Sequence, residues 1–94
     1  MSLNRYAKKR DANELEIVQA LEVLGFSVER LDTPVDLLVG KFGVTLLVEV
    51  KTKTGKLTKA QKKFINRDWQ GGAVIVAQNV DDILRWFDEN TLEK

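Results

Sequence analysis

The sequence contains no cysteine and no histidine, and a single proline among its 94 residues. The absence of cysteine excludes disulfides and zinc sites built from thiolates, and is typical of a protein from a reducing compartment. The absence of histidine excludes Ser-His-Asp triads, imidazole acid–base catalysis and histidine-ligated metals. A metal ion would therefore need oxygen ligands, which favour magnesium or manganese.

Long apolar runs and a secretory signal are missing as well. No stretch reaches the ~20 apolar residues that span a membrane, and the basic segment 1–10 is not followed by the apolar run of a signal peptide. We therefore expect an intracellular, cytoplasmic protein. An apolar content of 44% is ordinary for a globular chain, and the length suits one core. These features predict a flexible segment 1–10 and a single domain over 11–94.

Hydrophobic periodicity predicts an α/β fold with the order α-β-β-β-α-β-α. A helical crossover between the third and fourth strands makes a mixed β-sheet flanked by helices the expected architecture. A turn at Gly40–Gly43 would join the second and third strands, and Asp11 or Asn13 would cap the first helix. The pattern predicts helices over 11–24 and 58–68 and from about residue 79 onward, and strands over 26–30, 35–39, 44–52 and 73–77.

The most informative motif is Glu49-Val50-Lys51, at the end of the apolar third strand. Residues two apart on a strand point to the same side of the sheet, so Glu49 and Lys51 would lie together. Asp36 opens the preceding strand, thirteen residues upstream. The carboxylates of Asp36 and Glu49, with the Val50 carbonyl, could hold one Mg²⁺, and the Lys51 amine could offset phosphate charge. The alternative is a surface ion pair on an edge strand, with Asp36 facing water or holding a turn.

Glu14 is an acid on the apolar stripe of the first helix. It falls within the arc of the apolar positions that recur at helical spacing, Ile17, Val18, Leu21 and Leu24. A carboxylate on that stripe needs a partner, which could be a metal ion, water bound to that ion, or Lys51. The helix dipole, which favours an acid at the first turn, explains it equally well.

A second group of polar residues follows the motif. Gln61 could contact the scissile phosphate or Lys51, although a capping box with Thr58 explains it as well. Six lysines and no acid occur from residue 51 to 63, which predicts phosphate contacts or, alternatively, a solvated helix face. Trp69 and Trp86 are expected to pack rather than to stack on bases. The predicted DNA-binding residues are Lys53, Lys56, Lys59 and Lys62.

Four short segments together resemble the PD-(D/E)xK nuclease superfamily: Asn13-Glu14, Gly25-Phe26 through Arg30, Pro34-Val35-Asp36, and Val48-Glu49-Val50-Lys51. The short form is similar to stand-alone VRR-NUC domains and to the Holliday-junction resolvases of that superfamily. The resemblance implies a restriction-endonuclease-like core, found in bacterial or phage-infected cells. One departure is Val35, which separates the proline and the aspartate that are adjacent in the motif.

By this resemblance, Asp36 and Glu49 would bind the metal, Lys51 would be the catalytic lysine, Glu14 the acid of the first helix, and Gln61 a polar position on the second. The expected activity is Mg²⁺- or Mn²⁺-dependent hydrolysis of DNA, selective for branched or junction structures, by a homodimer. The last helix is expected to supply an apolar dimer patch from Leu84, Trp86 and Phe87. The alternative is a catalytically inactive DNA-binding or interaction module with the nuclease fold.

Overall fold

The computed structural model describes residues 11–91, so the predicted flexible segment 1–10 lies outside the described residues. The order along the chain is the predicted one, with one addition after the second helix. The elements are helix α1 (Glu14–Val23), strands β1 (Ser27–Arg30), β2 (Leu37–Lys41) and β3 (Val44–Val50), helix α2 (Lys59–Lys63) with a π-helical segment (Phe64–Asp68), strand β4 (Val74–Ala77) and helix α3 (Val80–Thr91).

The four strands form one mixed sheet in the order β1-β2-β3-β4. Strands β1, β2 and β3 are antiparallel neighbours, whereas β4 runs parallel to β3. A parallel neighbour needs a crossover, and the chain makes it through α2 and the π-helical segment. The predicted small α/β domain with a mixed sheet and flanking helices is therefore confirmed.

One face of the sheet carries the hydrophobic core. Alternate residues of β3, namely Leu46, Val48 and Val50, are at most 1% exposed and pack with α1 and α3. The intervening positions point to the opposite face, since side chains alternate along a strand. Glu49 belongs to that second face, which α2 covers through a hydrogen bond from Gln61.

The hairpin between β2 and β3 is tighter than predicted. Gly40 and Lys41 lie within β2, and Lys41 pairs with Val44, leaving only Phe42 and Gly43 in the loop. Both loop residues have positive φ, +60° and +77°, as in the two-residue turns that match the twist of antiparallel strands. Gly43 adopts such an angle readily, whereas Phe42 is a non-glycine residue in the left-handed region.

The predicted helix over 58–68 is not uniform. Its capping box is present, since Gln61 N donates to Thr58 Oγ1 and Thr58 N donates to Gln61 Oε1. The α-helical part ends at Lys63, and the chain continues as a π-helix to Asp68. A bond from Trp69 N to the Phe64 carbonyl, five residues back, closes this wider turn.

Three smaller expectations need correction. Asn13 occupies the N-cap of α1 but makes no side-chain cap bond there. Lys51 lies just beyond the end of β3, which was predicted to continue to residue 52. Phe87 is 2% exposed and belongs to the core, because Phe26 and Trp86 both pack edge-on against it. It therefore cannot contribute to an exposed dimer patch on α3.

Both tryptophans pack on phenylalanine rings, as predicted. Trp69 lies 5.5 Å from the Phe64 ring and Trp86 lies 5.0 Å from that of Phe87, centroid to centroid. None of the helices formed by residues 11–91 is long and apolar enough to cross a membrane.

Candidate active site

Three charged side chains are buried among the described residues: Glu14 (1% exposed), Asp36 (5%) and Glu49 (1%). They are the three acids that the sequence singled out. Burying a carboxylate is costly unless other groups compensate its charge. The structure supplies different compensating groups to each of the three.

Asp36 lies at the entry to β2, beside the end of β3. Its backbone N–H donates to the Val48 carbonyl at 3.1 Å, and its Oδ2 accepts from the Val50 N–H at 2.7 Å. Asp36 precedes the first residue of β2. Its side chain, and not a carbonyl of β2, therefore accepts the hydrogen bond from the Val50 N–H. Because these two bonds lie on either side of Glu49, Asp36 and Glu49 share one end of the sheet.

Glu49 lies between two donors. Lys51 Nζ is 3.4 Å from Glu49 Oε2, and Gln61 Nε2 donates to the same oxygen at 2.8 Å. The Glu49 and Lys51 side chains are only 2% and 14% exposed, so they form a partly buried pair rather than the surface pair considered as an alternative. Gln61 is both a helix cap and a contact of Glu49, and it joins α2 to the site.

Glu14 is held by a residue that sequence reasoning did not select. Arg30 Nε donates to Glu14 Oε2 at 2.8 Å, and the Arg30 side chain is 38% exposed. The signal was present in the sequence: an acid on an apolar helix stripe calls for a cation, and Arg30 ends the strand that follows that helix. Sequence reasoning considered Lys51 for this role, but Lys51 contacts Glu49 instead.

Asn13 is a second residue whose role was missed. Its side-chain amide donates to the carbonyls of Lys51 at 3.2 Å and of Gln78 at 2.6 Å. These carbonyls lie just past the ends of β3 and β4. Asn13 therefore ties the start of α1 to the backbone of Lys51, and this explains why its side chain does not cap the helix.

The predicted metal donors are Asp36, Glu49, the Val50 carbonyl and Glu14. Within residues 11–91, no three acidic side chains are gathered closely enough to hold an ion together. Asp36, Glu49 and the Val50 carbonyl remain a pair of carboxylates and a backbone oxygen at one end of the sheet, which is donor chemistry suited to Mg²⁺ or Mn²⁺. The Glu14 carboxylate is held by Arg30.

A cleft runs beside the site, between the β1–β2 connection and α2. It is lined on one side by Asp32, Thr33 and Pro34, and on the other by Thr58, Ala60, Gln61 and Phe64. Gln61 lines the cleft and also contacts Glu49. Gln61 is therefore the residue through which the cleft adjoins the site.

The predicted DNA-binding lysines are exposed. Lys53 and Lys56 lie in the loop after β3, and Lys59 and Lys62 lie on α2. Comparison with protein-family models, curated proteins and solved structures gives no match for this chain.

Proposed function

We propose that this chain is a Mg²⁺- or Mn²⁺-dependent DNA endonuclease with a restriction-endonuclease-like core of the PD-(D/E)xK type. The observation that carries the proposal is the environment of Glu49. This buried carboxylate has Lys51 at 3.4 Å and Gln61 at 2.8 Å, and Asp36 lies beside it at the entry to β2. An acid-acid-lysine set at one end of a sheet suits cleavage of a phosphodiester.

Asp36, Glu49 and the Val50 carbonyl are the groups that would hold the metal ion. When bound, such an ion stabilises negative charge on phosphate and activates water as a nucleophile. The chain's part is to hold the two carboxylates in place. Gln61 and Lys51 do this for Glu49, and the Val50 amide does it for Asp36.

Lys51 supplies the positive charge of the site. Its side chain is 14% exposed, and a charge in such a place stabilises an incoming phosphate more strongly than a solvated amine does. Its backbone carbonyl is held by Asn13, so the start of α1 determines where the lysine stands. Arg30 uses Nε on Glu14 and can direct its other N–H groups towards a neighbouring phosphate.

The proposed substrate is DNA recognised by backbone charge and branched shape. Phosphate contacts from Lys53, Lys56, Lys59 and Lys62 carry no sequence information. The two incisions that a four-way junction requires favour a homodimer. Light scattering tests this, and a monomer at working concentrations would point to flap or end-directed cleavage instead.

The decisive experiment is cleavage of linear, flap and four-way DNA by Glu49→Gln and Lys51→Ala proteins in Mn²⁺. We expect each variant to lose at least roughly a hundredfold in rate, because each removes a charge that acts on the reacting phosphate. Glu16→Gln, an exposed acid on α1, is the matched control and should cut at the wild-type rate. Wild-type cleavage by either site variant would overturn the mechanism.

A second candidate function is a non-catalytic DNA-binding module with the same fold. The observation in its favour is that Glu14, Asp36 and Glu49 each bind groups of the protein. Calorimetry with Mn²⁺ separates the two candidates. Binding by the wild type that Glu49→Gln abolishes supports the nuclease, and no binding by a folded wild type supports the module.

A further inference from the structure

The outer side of α2 and of the π-helical segment forms a groove lined by Lys59, Ala60, Lys62, Lys63 and Arg67, hereafter the basic groove. Four of its five lining residues are cationic and none is acidic. Gln61 points inward to Glu49, and its cationic neighbours on the helix point elsewhere. The groove meets the cleft beside the candidate active site at Ala60, which lines both.

The π-helical winding brings one acid to the edge of this groove. In an α-helix, residues five apart lie about 140° around the axis from one another. In a π-helix, the backbone hydrogen bond joins residues five apart. Two such residues therefore lie about one turn apart on the same side of the helix. Asp68 therefore reaches Lys63, with Oδ2 at 3.3 Å from Nζ, while its Oδ1 accepts from Arg67 Nε at 3.0 Å.

Both contacts of Asp68 are open to solvent. The side chains of Lys63, Arg67 and Asp68 are 55%, 69% and 44% exposed. The Arg67 hydrogen bond, followed by the contacts with Lys63, holds the pKa of Asp68 below its usual value. The carboxylate is thus ionised at neutral pH. Exposed ion pairs are weak in water, so a stronger anionic ligand can displace this one.

We propose that the basic groove binds the sugar–phosphate backbone of a nucleic acid, and that Asp68 occupies the position of a phosphate until the strand displaces it. The choice of nucleic acid as the partner rests on the proposed function. The carboxylate bridges Lys63 and Arg67 as a phosphate would, because both anions accept bonds from cationic donors at similar distances. After displacement, the Asp68 carboxylate lies beside the bound phosphates. It repels them and so weakens the binding of the nucleic acid.

The location of the groove limits what it can affect. A helix with its side chains is ~10 Å across, and α2 stands between the groove and Glu49. A strand in the groove is therefore held at a phosphate distant from the one that is cut. Changes there should alter substrate affinity and KM, and leave kcat unchanged.

The test is the affinity of the full-length protein for a fluorescently labelled four-way DNA junction, measured by anisotropy in EDTA, so that no cleavage occurs. Asp68→Asn should bind about threefold to tenfold more tightly at low salt. Asp88→Asn, which makes the same change in net charge on α3, is the matched control and should bind as the wild type does. An equal gain from both variants would mean that net charge alone matters, and it would overturn the proposal.

A second set of variants removes the groove itself. Lys63→Ala should reduce the slope of log affinity against log salt by about 0.9, the value for one lost phosphate contact. Asp68→Asn should no longer improve binding once Lys63 and Arg67 are both replaced by alanine. A gain that persists in that triple variant would contradict the assignment.

These readouts do not depend on cleavage. If the wild type cuts no DNA but Asp68→Asn still binds more tightly than Asp88→Asn, the groove is supported and the endonuclease proposal fails. If the wild type cuts DNA and Asp68→Asn leaves junction affinity unchanged, the endonuclease proposal is supported and the proposal for the groove fails.

Discussion

Two arginine–carboxylate pairs in this molecule have almost the same geometry and opposite surroundings. Arg30 Nε is 2.8 Å from Glu14 Oε2, and Arg67 Nε is 3.0 Å from Asp68 Oδ1. The Glu14 side chain is 1% exposed, whereas that of Asp68 is 44% exposed. The first pair joins a helix to a strand beside the candidate active site. The second lies within one π-helical turn on the outer surface.

The comparison shows that burial, and not distance, determines what such a pair does. A buried charge that loses its partner keeps the full cost of its desolvation. An exposed charge turns to water, and its pairing is weak and screened by salt. We therefore expect Glu14–Arg30 to stabilise the fold and orient the site, and Asp68–Arg67 to remain exchangeable with a ligand.

The largest effect should come from breaking the buried pair. Arg30→Ala leaves the Glu14 carboxylate in the interior and should lower the free energy of unfolding by roughly 2–4 kcal/mol. This is below the range for fully buried pairs because Arg30 itself is 38% exposed. Urea denaturation at neutral pH measures the change.

Arg67→Ala is the matched change in the exposed pair, and its unfolding midpoint in urea should equal that of the wild type. If Arg67→Ala destabilises the protein as much as Arg30→Ala does, burial does not determine what these ion pairs contribute to stability. Partial recovery of stability in the double variant Arg30→Ala, Glu14→Gln would confirm that the loss comes from the Glu14 charge that Arg30 compensates.

An intermediate effect on stability is expected at Gly71, an exposed residue that lies close to the Trp69 ring. A Cβ on Gly71 would lie 2.3 Å from Trp69 Cζ2, whereas a Cβ on Gly72 would have nothing within 4 Å. The Trp69 indole is held by the bond from Nε1 to the Gly72 carbonyl at 2.8 Å. Gly71→Ala should therefore displace the ring and cost roughly 1–2 kcal/mol.

Gly72→Ala is the control for this change and should leave both stability and tryptophan fluorescence as in the wild type. Equal effects of the two substitutions would show that the Trp69 packing contributes nothing. A loss confined to Gly71→Ala would show that parts of the exposed surface are as constrained as the core.

The smallest effect on stability should come from loss of the N-terminal cap of α2. Two substitutions distinguish the cap from the contact between α2 and Glu49. Thr58→Ala removes the cap and should cost about 1 kcal/mol. Gln61→Glu keeps a residue that can complete the capping box, but it places a second carboxylate against Glu49. Gln61→Glu should therefore unfold at a lower temperature than Thr58→Ala does, and DNA cleavage should fall as well. Unchanged cleavage would show that Gln61 serves only as a cap.

The sequence predicted the elements well because their signals are local. Apolar spacing in α1 and alternation in β3 each report on one segment of chain, and the crossover required α2 before β4. The strand and turn boundaries that were predicted wrongly depend on contacts with residues that are distant in sequence. Phe42 accepts a positive φ because the register of β2 and β3 leaves only two residues for the turn.

The candidate site was predicted in part for the same reason. Glu14, Asp36 and Glu49 could be recognised because each interrupts an apolar pattern, and all three are buried. Their partners could not be assigned, since the choice between Arg30 and Lys51 for Glu14 depends on the positions of β1 and β3 relative to α1. Asn13 was read as a helix cap because capping is a local rule, whereas its bonds join α1 to residues after β3 and β4.

The sequence by itself therefore determined the class of fold, the exclusion of histidine and thiolate chemistry, and the identity of the acids that interrupt apolar patterns. Only the tertiary structure decided which cation each acid binds, that Gln61 joins Glu49, and that Asp68 faces Lys63 through a π-helical turn. The physical reason is that composition and periodicity are properties of one segment. The compensation of a buried charge depends on which segments pack together.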